Sequence, residues 1–194
     1  MDFFEVVNKR YSCRNYRSDT VEIEKLNKCV EAAVKSPTAC NNQPWKFILV
    51  TDPAIVARLK PLLSGALNVN TFTKDCPAFA VLVNEGESIE SKIGCIATKK
   101  HFSEIDCGMA AQTFCLAAAA QDVATCVMGL GNEKRIKKLL DVPPRKRVLL
   151  VIACGYEMEK TKRRGPRKHI KEVRAYDNYK QTERKIISSE TPEL

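Results

Sequence analysis

The pattern of apolar and polar positions along the chain predicts helices and strands that follow one another in turn. Between Val21 and Lys35, apolar residues recur at spacings of three and four, as on an amphipathic helix, and Ser36-Pro37 ends it. Further short helices are predicted at 3–10, 53–63 and 133–140. Apolar runs predict strands at 46–51, 79–83, 123–128 and 147–154. The alternation predicts an α/β or α+β protein with a mixed sheet.

The longest apolar segment starts at Ser103 or Asp106 and runs to about Gln121. It is apolar nearly all round, and a helix without a polar face packs on every side or against a partner subunit. We therefore expect a dimer whose stability depends on Met109, Phe114 and Leu116. The polar stretch from 84 to 102, just before it, predicts a loop or lid.

The length of 194 residues predicts one domain, or one domain with an arm. Hydrophobic residues make up 44% and charged residues 28%, which is typical of a globular protein. The apolar runs are too short to predict a membrane-spanning helix, and the acidic start of the chain is unlike a secretory signal.

The formal net charge of +9 favours an anionic partner, such as nucleic acid, an acidic protein or a phosphorylated ligand. The last 37 positions hold 11 basic and 6 acidic residues, so +5 of the excess lies there. The basic run from Arg163 to Lys168 has no interleaved aromatic residues, which argues against a nucleic-acid interface. A solvated basic tail is the alternative.

The chain has nine cysteines and two histidines, and none of them is predicted to be catalytic. No CxxC pair occurs and no histidine lies at zinc-binding spacing, so no metal site is expected. Cysteines in apolar stretches behave as small hydrophobic residues in a reducing compartment, which predicts the cytoplasm. Cys13 lies between Arg10 and Arg14, and we expect these cations to lower its pKa.

Two polar clusters are candidates for ligand binding. Arg10-Tyr11-Ser12-Cys13-Arg14 could bring two guanidinium groups and a hydroxyl to one phosphate. The alternative is a helix C-terminus with favourable cations. The segment from Ser36 to Trp45 is rich in side-chain amides that could hold the edge of a planar heterocycle. Its alternative is a turn whose Trp fills the core.

Together these motifs resemble the FMN-dependent nitroreductase family, from about residue 3 to residue 177. The second cluster is similar to the family's Pro-Ser-x-x-Asn-x-Gln-Pro-Trp, with Thr38 in place of Ser. Three further features match in order and spacing. They are Asp106-x-Gly108 at the start of the long helix, Met128-Gly129 after a strand, and Gly155-Tyr156 followed by Arg167-Lys168.

The resemblance implies an α+β sandwich, with a mixed four- to five-stranded sheet flanked by helices. It implies a homodimer with two FMN molecules at the interface and a C-terminal arm that reaches the partner. A single FMN-binding domain would cover 1–177, and 178–194 would be a tail.

The resemblance also implies roles for individual residues. Arg10, Ser12 and Arg14 would hold the ribityl chain and phosphate, and Arg167 with Lys168 would complete the phosphate site. The flavin would be lined by the following residues, the first four from the other subunit: Pro37, Thr38, Asn41, Gln43, Asn70, Met128 and Gly129. Asn68 matches the family pattern nearly as well as Asn70.

The implied activity is electron transfer from NADH or NADPH to an organic acceptor by a ping-pong mechanism. The acceptor could be a nitroaromatic, a quinone, an enone or a halogenated phenol. The chain departs from the family at Gln121–Thr125, at Glu157 and in a short segment before the long helix. These departures concern the substrate more than the cofactor. The alternatives are a flavin-binding module with little turnover and a basic nucleic-acid-binding protein.

Overall fold

The computed structural model describes residues 1–64, 69–89, 94, 98–158 and 165–183. The chain divides into two compact units, Met1–Thr161 and Lys162–Leu194. The first unit contains a four-stranded sheet with the strands β1 (Trp45–Val50), β2 (Ala78–Asn84), β3 (Ala124–Met128) and β4 (Arg147–Gly155). Their order across the sheet is β1-β2-β4-β3, and each neighbouring pair is antiparallel.

The α+β class and the four-stranded sheet flanked by helices confirm the expected architecture. The expected mixture of parallel and antiparallel strands is not found among the four strands, which all pair antiparallel. In the described residues, the one parallel pairing is an isolated bridge between Ser12 and Thr125. The helices of the first unit are α1 (Phe3–Lys9), α2 (Ile23–Ala33), α3 (Pro53–Ser64), α4 (Phe102–Ala120) and α5 (Glu133–Leu139). Two short 3₁₀ helices cover Ala39–Asn41 and Thr71–Asp75.

The sheet separates two hydrophobic layers. On one face, α2 and α4 pack over side chains such as Ala80, Leu82 and Ile152. On the other, α3 and α5 pack over Phe79, Val81 and their neighbours. Every residue of β2 is buried, as its continuous apolar run predicts, because both faces of this central strand are covered.

The long helix α4 lies in the core, but its exposure corrects one expectation. Phe114 is fully buried and stacks on Phe47 with ring centroids 5.4 Å apart, so it serves its own chain's core rather than a partner. Met109 and Leu116 are half-buried, and Ile105 is 51% exposed.

Within the described residues, no helix has the length and apolar character needed to cross a membrane.

The second unit is described from residue 165 to residue 183. It contains the short helix α6 (Ile170–Val173), where His169 and Glu172 form a capping box. The predicted division into a domain at 1–177 and a tail at 178–194 stays a prediction, and residues 184–194 lie outside the described part. Residues 90–93 and 95–97 of the predicted lid at 84–102 also lie outside the described part.

Candidate functional site

The first candidate cluster is an extended segment that runs beside β3. Helix α1 ends at Lys9, and the N–H group of Cys13 donates to the carbonyl oxygen of Thr125 at 2.9 Å. Side chains alternate along an extended chain, so Cys13 enters the core while Ser12 and Arg14 are exposed. The spacing of Arg10, Ser12 and Arg14 by two residues therefore suits side chains that share one side of the segment.

Arg10 and Arg14 are cations without an acidic partner among the described residues. Burial raises the pKa of the Cys126 thiol in β3, and the charges of Arg14 and Arg10 both act against that rise. Both guanidinium groups are therefore close to the same part of β3. The Arg14 guanidinium carbon also lies 5.9 Å from the centre of the Phe72 ring. Within the described residues neither guanidinium group is in a salt bridge, although the Glu157 carboxylate acts on the neighbouring Tyr11 and Cys13.

The expectation that these cations lower the pKa of Cys13 is wrong. Its side chain is 1% exposed, and burial raises the pKa of the thiol. The thiol donates to the carbonyl oxygen of Asn15 at 3.3 Å. The extended backbone turns this side chain inward, away from the exposed Arg14.

Asn70 connects three segments next to this cluster. It precedes the second 3₁₀ helix with left-handed backbone (φ 62°), and its amide nitrogen donates to the carbonyl oxygens of Leu63 at 3.1 Å and Leu130 at 3.2 Å. The adjacent Gly129 has open space where a Cβ would stand, with Leu150 Cδ2 at 4.0 Å. Asn68 lies outside the described residues. We call Arg10, Ser12, Arg14, Asn70, Met128 and Gly129 the β3 group.

The second candidate cluster is the loop before β1, and we call its residues Pro37, Thr38, Asn41 and Gln43 the β1 group. Left-handed backbone occurs at Cys40 (φ 52°), Asn41 (φ 51°) and Gln43 (φ 47°). Inside the loop, the Gln43 N–H donates to Thr38 Oγ1 at 3.3 Å, and Gln43 Nε2 donates to Asn41 Oδ1 at 3.2 Å. Asn41 and Gln43 are exposed, so their amides are accessible to a ligand.

Within one chain, the two groups lie at opposite edges of the sheet. Ser12 pairs with Thr125, which is level with Cys154 of β4 and Ala78 of β2. Trp45, which follows the β1 group, faces Asn84 at the other end of β2. Four strand spacings across and six residues along separate them by about 28 Å. One chain therefore does not bring Ser12 to the start of β1.

Arg167 and Lys168 belong to the second unit, where both are exposed in the irregular stretch before α6. Their predicted place in the phosphate site stays a prediction. Among the described residues, no group of three or more His, Cys, Asp or Glu side chains is arranged to hold a metal ion.

Sequence reasoning missed two side chains that shape the candidate site. Phe72 lies under Arg14, and its only sequence signal is an aromatic residue in a polar stretch. Asp106 is 3% exposed and accepts a hydrogen bond from the Ala39 N–H at 3.1 Å. The motif at 106–108 pointed to the family, but periodicity does not reveal which loop a helical carboxylate contacts.

Comparison with known proteins shows which family model, relatives and solved structures the chain is similar to. The model of the nitroreductase family matches residues 7–156. A protein of Methanothermobacter thermautotrophicus, provisionally named an NADH dehydrogenase/NAD(P)H nitroreductase, is 28% identical over 164 residues, which cover 82% of this chain and 79% of that protein. Iodotyrosine deiodinase 1 of Pongo abelii is 28% identical over 69 residues, 36% of this chain and 24% of the deiodinase. The structure of an FMN-dependent nitroreductase from Clostridium difficile has a TM-score of 0.73 at 23% identity, and the match covers 91% of this chain and 99% of that one.

Proposed function

We propose that this chain, which belongs to the nitroreductase family, is an FMN-dependent oxidoreductase that passes electrons from NAD(P)H to a small organic acceptor. The observation that carries the proposal is the pair Arg10 and Arg14, held beside β3 without an acidic partner among the described residues. A dianionic phosphate suits such a pair, because guanidinium groups give charge-assisted, bidentate hydrogen bonds.

The β3 group fits the two ends of FMN. Arg10, Ser12 and Arg14 would bind the phosphate and ribityl hydroxyls, with Ser12 and Arg14 exposed and Arg10 half-buried. Gly129 leaves space for a flat ring to approach the backbone, while Met128 is 4% exposed and contributes its main chain rather than its side chain. Asn70 would hold the wall beside the ring by fixing Leu130.

The β1 group would complete the site from a second copy of the chain. Within one chain it lies about 28 Å from Ser12. The two groups could meet at one FMN only if two copies pack with these edges together. Helix α1 supports a dimer, because Phe3, Phe4 and Val7 are 61%, 69% and 41% exposed. Apolar side chains clustered in this way are typical of a surface that binds another protein.

Bound FMN would supply the hydride chemistry for electron transfer from NAD(P)H to the organic acceptor. The chain's own residues would bind the phosphate, orient the ring and shape the slot above it, so no acid or base side chain is assigned. Nitroaromatics, quinones, enones and halogenated phenols are the acceptor classes to test. The partial likeness to iodotyrosine deiodinase adds a further reason to test the halogenated phenols.

Absorbance spectra of the purified protein test the proposal. We expect flavin bands that bleach under anaerobic NADH or NADPH and return when a quinone or nitroaromatic is added. Flavin bands that neither nucleotide bleaches would instead indicate a binding module. Absence of flavin, together with failure to bind added FMN and salt-dependent binding of nucleic acid, would favour the nucleic-acid alternative.

A further inference from the structure

The loop of the β1 group is held in a conformation that its own sequence does not favour. Cys40, Asn41 and Gln43 have positive φ angles without being glycine, and left-handed backbone costs about 1–2 kcal/mol per such residue. Asn tolerates this region better than Cys or Gln. Such a conformation persists only where contacts outside the loop determine it.

Asp106 provides the first of these outside contacts. Its Oδ2 accepts the hydrogen bond from the N–H of Ala39, the first residue of the 3₁₀ helix, at 3.1 Å. The side chain is 3% exposed and has no ion pair with a cation in the described residues. A buried carboxylate without a cation is unfavourable for folding, so stability alone does not explain its presence.

A second contact holds the other side of the loop through Asn84, at the end of β2. Asn42 Nδ2 donates to the Gly86 carbonyl oxygen at 3.0 Å, and the Gly86 N–H donates to Asn84 Oδ1 at 2.8 Å. Asn84 Nδ2 then donates to Ser103 Oγ at 3.1 Å. Ser103 and Asp106 both lie in the first turns of α4, so the two contacts share one support.

We propose that Asp106, with Asn84, is a positioning residue that holds the loop 38–43 in its flavin-binding conformation. This rests on the proposed function, because the loop is assigned to FMN there. Asp106 holds the loop at Ala39, just before the left-handed residues Cys40 and Asn41. Asn84 holds it just after them, at Asn42, through Gly86. Between the two supports, the amides of Asn41 and Gln43 are presented to solvent in a defined direction.

The test compares FMN affinity, by fluorescence titration of the apoprotein, with stability, by urea unfolding. Asp106→Ala removes the acceptor, and we expect FMN affinity to fall at least tenfold and the flavin reduction potential to shift. Asp106→Asn keeps an acceptor oxygen of the same size, so it is expected to restore affinity to within about threefold. Gln112→Ala, an exposed change on the same helix, is the control and should change neither quantity.

Ala39→Pro tests the same bond from the loop side and covers the case in which Asp106→Ala does not fold. Proline fits the first position of this short helix, since Thr38 before it is extended (φ −142°, ψ 149°), and it removes only the N–H donor. Affinity and potential equal to those of the unmodified protein in a folded Asp106→Ala or Ala39→Pro variant would overturn the proposal. Failure of the unmodified protein to bind FMN would instead overturn the proposed function.

Discussion

The side-chain amide of Asn70 donates a hydrogen bond to the carbonyl oxygen of Leu130 at 3.2 Å, across 60 positions of sequence. The same nitrogen donates to Leu63 at the end of α3. One amide thus ties α3 and the 3₁₀ helix that follows to the segment after β3, where the flavin ring is proposed to lie. This role explains why an Asn occupies a left-handed position there.

Asn70→Gly keeps the left-handed backbone and removes the amide. We expect a loss of about 1–3 kcal/mol in the free energy of unfolding, because two carbonyl groups lose their donor. FMN affinity should fall as well, since Leu130 and Gly129 lose their support. Urea unfolding and FMN titration measure the two effects. Asp141→Gly, at an exposed residue that is also left-handed (φ 53°), is the control, and an equal loss there would contradict a specific role for Asn70.

The double change of Arg10→Ala and Arg14→Ala should give a folded protein that binds FMN on the order of a hundredfold or more weakly. Each charge-assisted hydrogen bond contributes about 1.5–3 kcal/mol. Fluorescence titration measures the affinity. Arg58→Ala with Arg135→Ala removes the same charge from exposed positions on α3 and α5. Equal FMN affinity in both double variants would exclude the proposed phosphate site.

The protein should be a dimer that depends on the exposed face of α1 together with Ile105, Met109 and Leu116 of α4. Light scattering should give about twice the chain mass of 21.8 kDa. Phe3→Glu with Phe4→Glu should weaken the dimer at least about a hundredfold, because burying each Phe contributes about 1.5–3 kcal/mol. Val34→Glu is a comparable change outside α1 and α4. A monomer that binds FMN at micromolar concentration would refute this prediction.

Among the described cysteines, we expect only Cys40 to react readily with a thiol reagent. Among the eight that the structure describes, Cys40 is exposed and the other seven are buried. Burial raises the pKa of Cys29, Cys76 and Cys107 to about 12, so at pH 8 only about one such thiol in ten thousand is ionised. A thiol reagent at pH 8 should therefore modify Cys40 first, and Cys40→Ser should abolish this fast phase in a Cys95→Ser background.

The same variants test the absence of thiol catalysis. Turnover with a quinone should change little in Cys40→Ser and in Cys13→Ala, while Cys13→Ser should mainly lower stability by placing a hydroxyl in the core. A fall of more than about a hundredfold in turnover with FMN bound corresponds to about 2.7 kcal/mol of transition-state stabilisation. Such a fall would mean that a thiol takes part in the reaction.

The helices and strands of the first unit could be predicted from the sequence to within two residues for most of their ends. The apolar run at 79–83 and the periodicity at 21–35 depend on neighbouring residues only, so local sequence carries them. The family motifs likewise placed the two candidate clusters, because their residue types and spacing are local features. The burial of the Cys13 side chain could not be predicted in this way. It depends on the hydrogen bond between its N–H group and Thr125, which is more than one hundred positions away.

By itself, the sequence pattern limited the class to α/β or α+β. Its motifs, which depend on residue type and short spacing, identified the family, and through it the α+β class and the candidate flavin residues. Only the tertiary structure decided the strand order, and with it the separation of Ser12 from the β1 group at opposite edges of the sheet. It also decided that Phe114 packs inside its own chain and that Asp106 holds Ala39. These relationships join residues that are distant in sequence. They are set by how strands pair and helices pack, and the residues' own neighbours do not encode them.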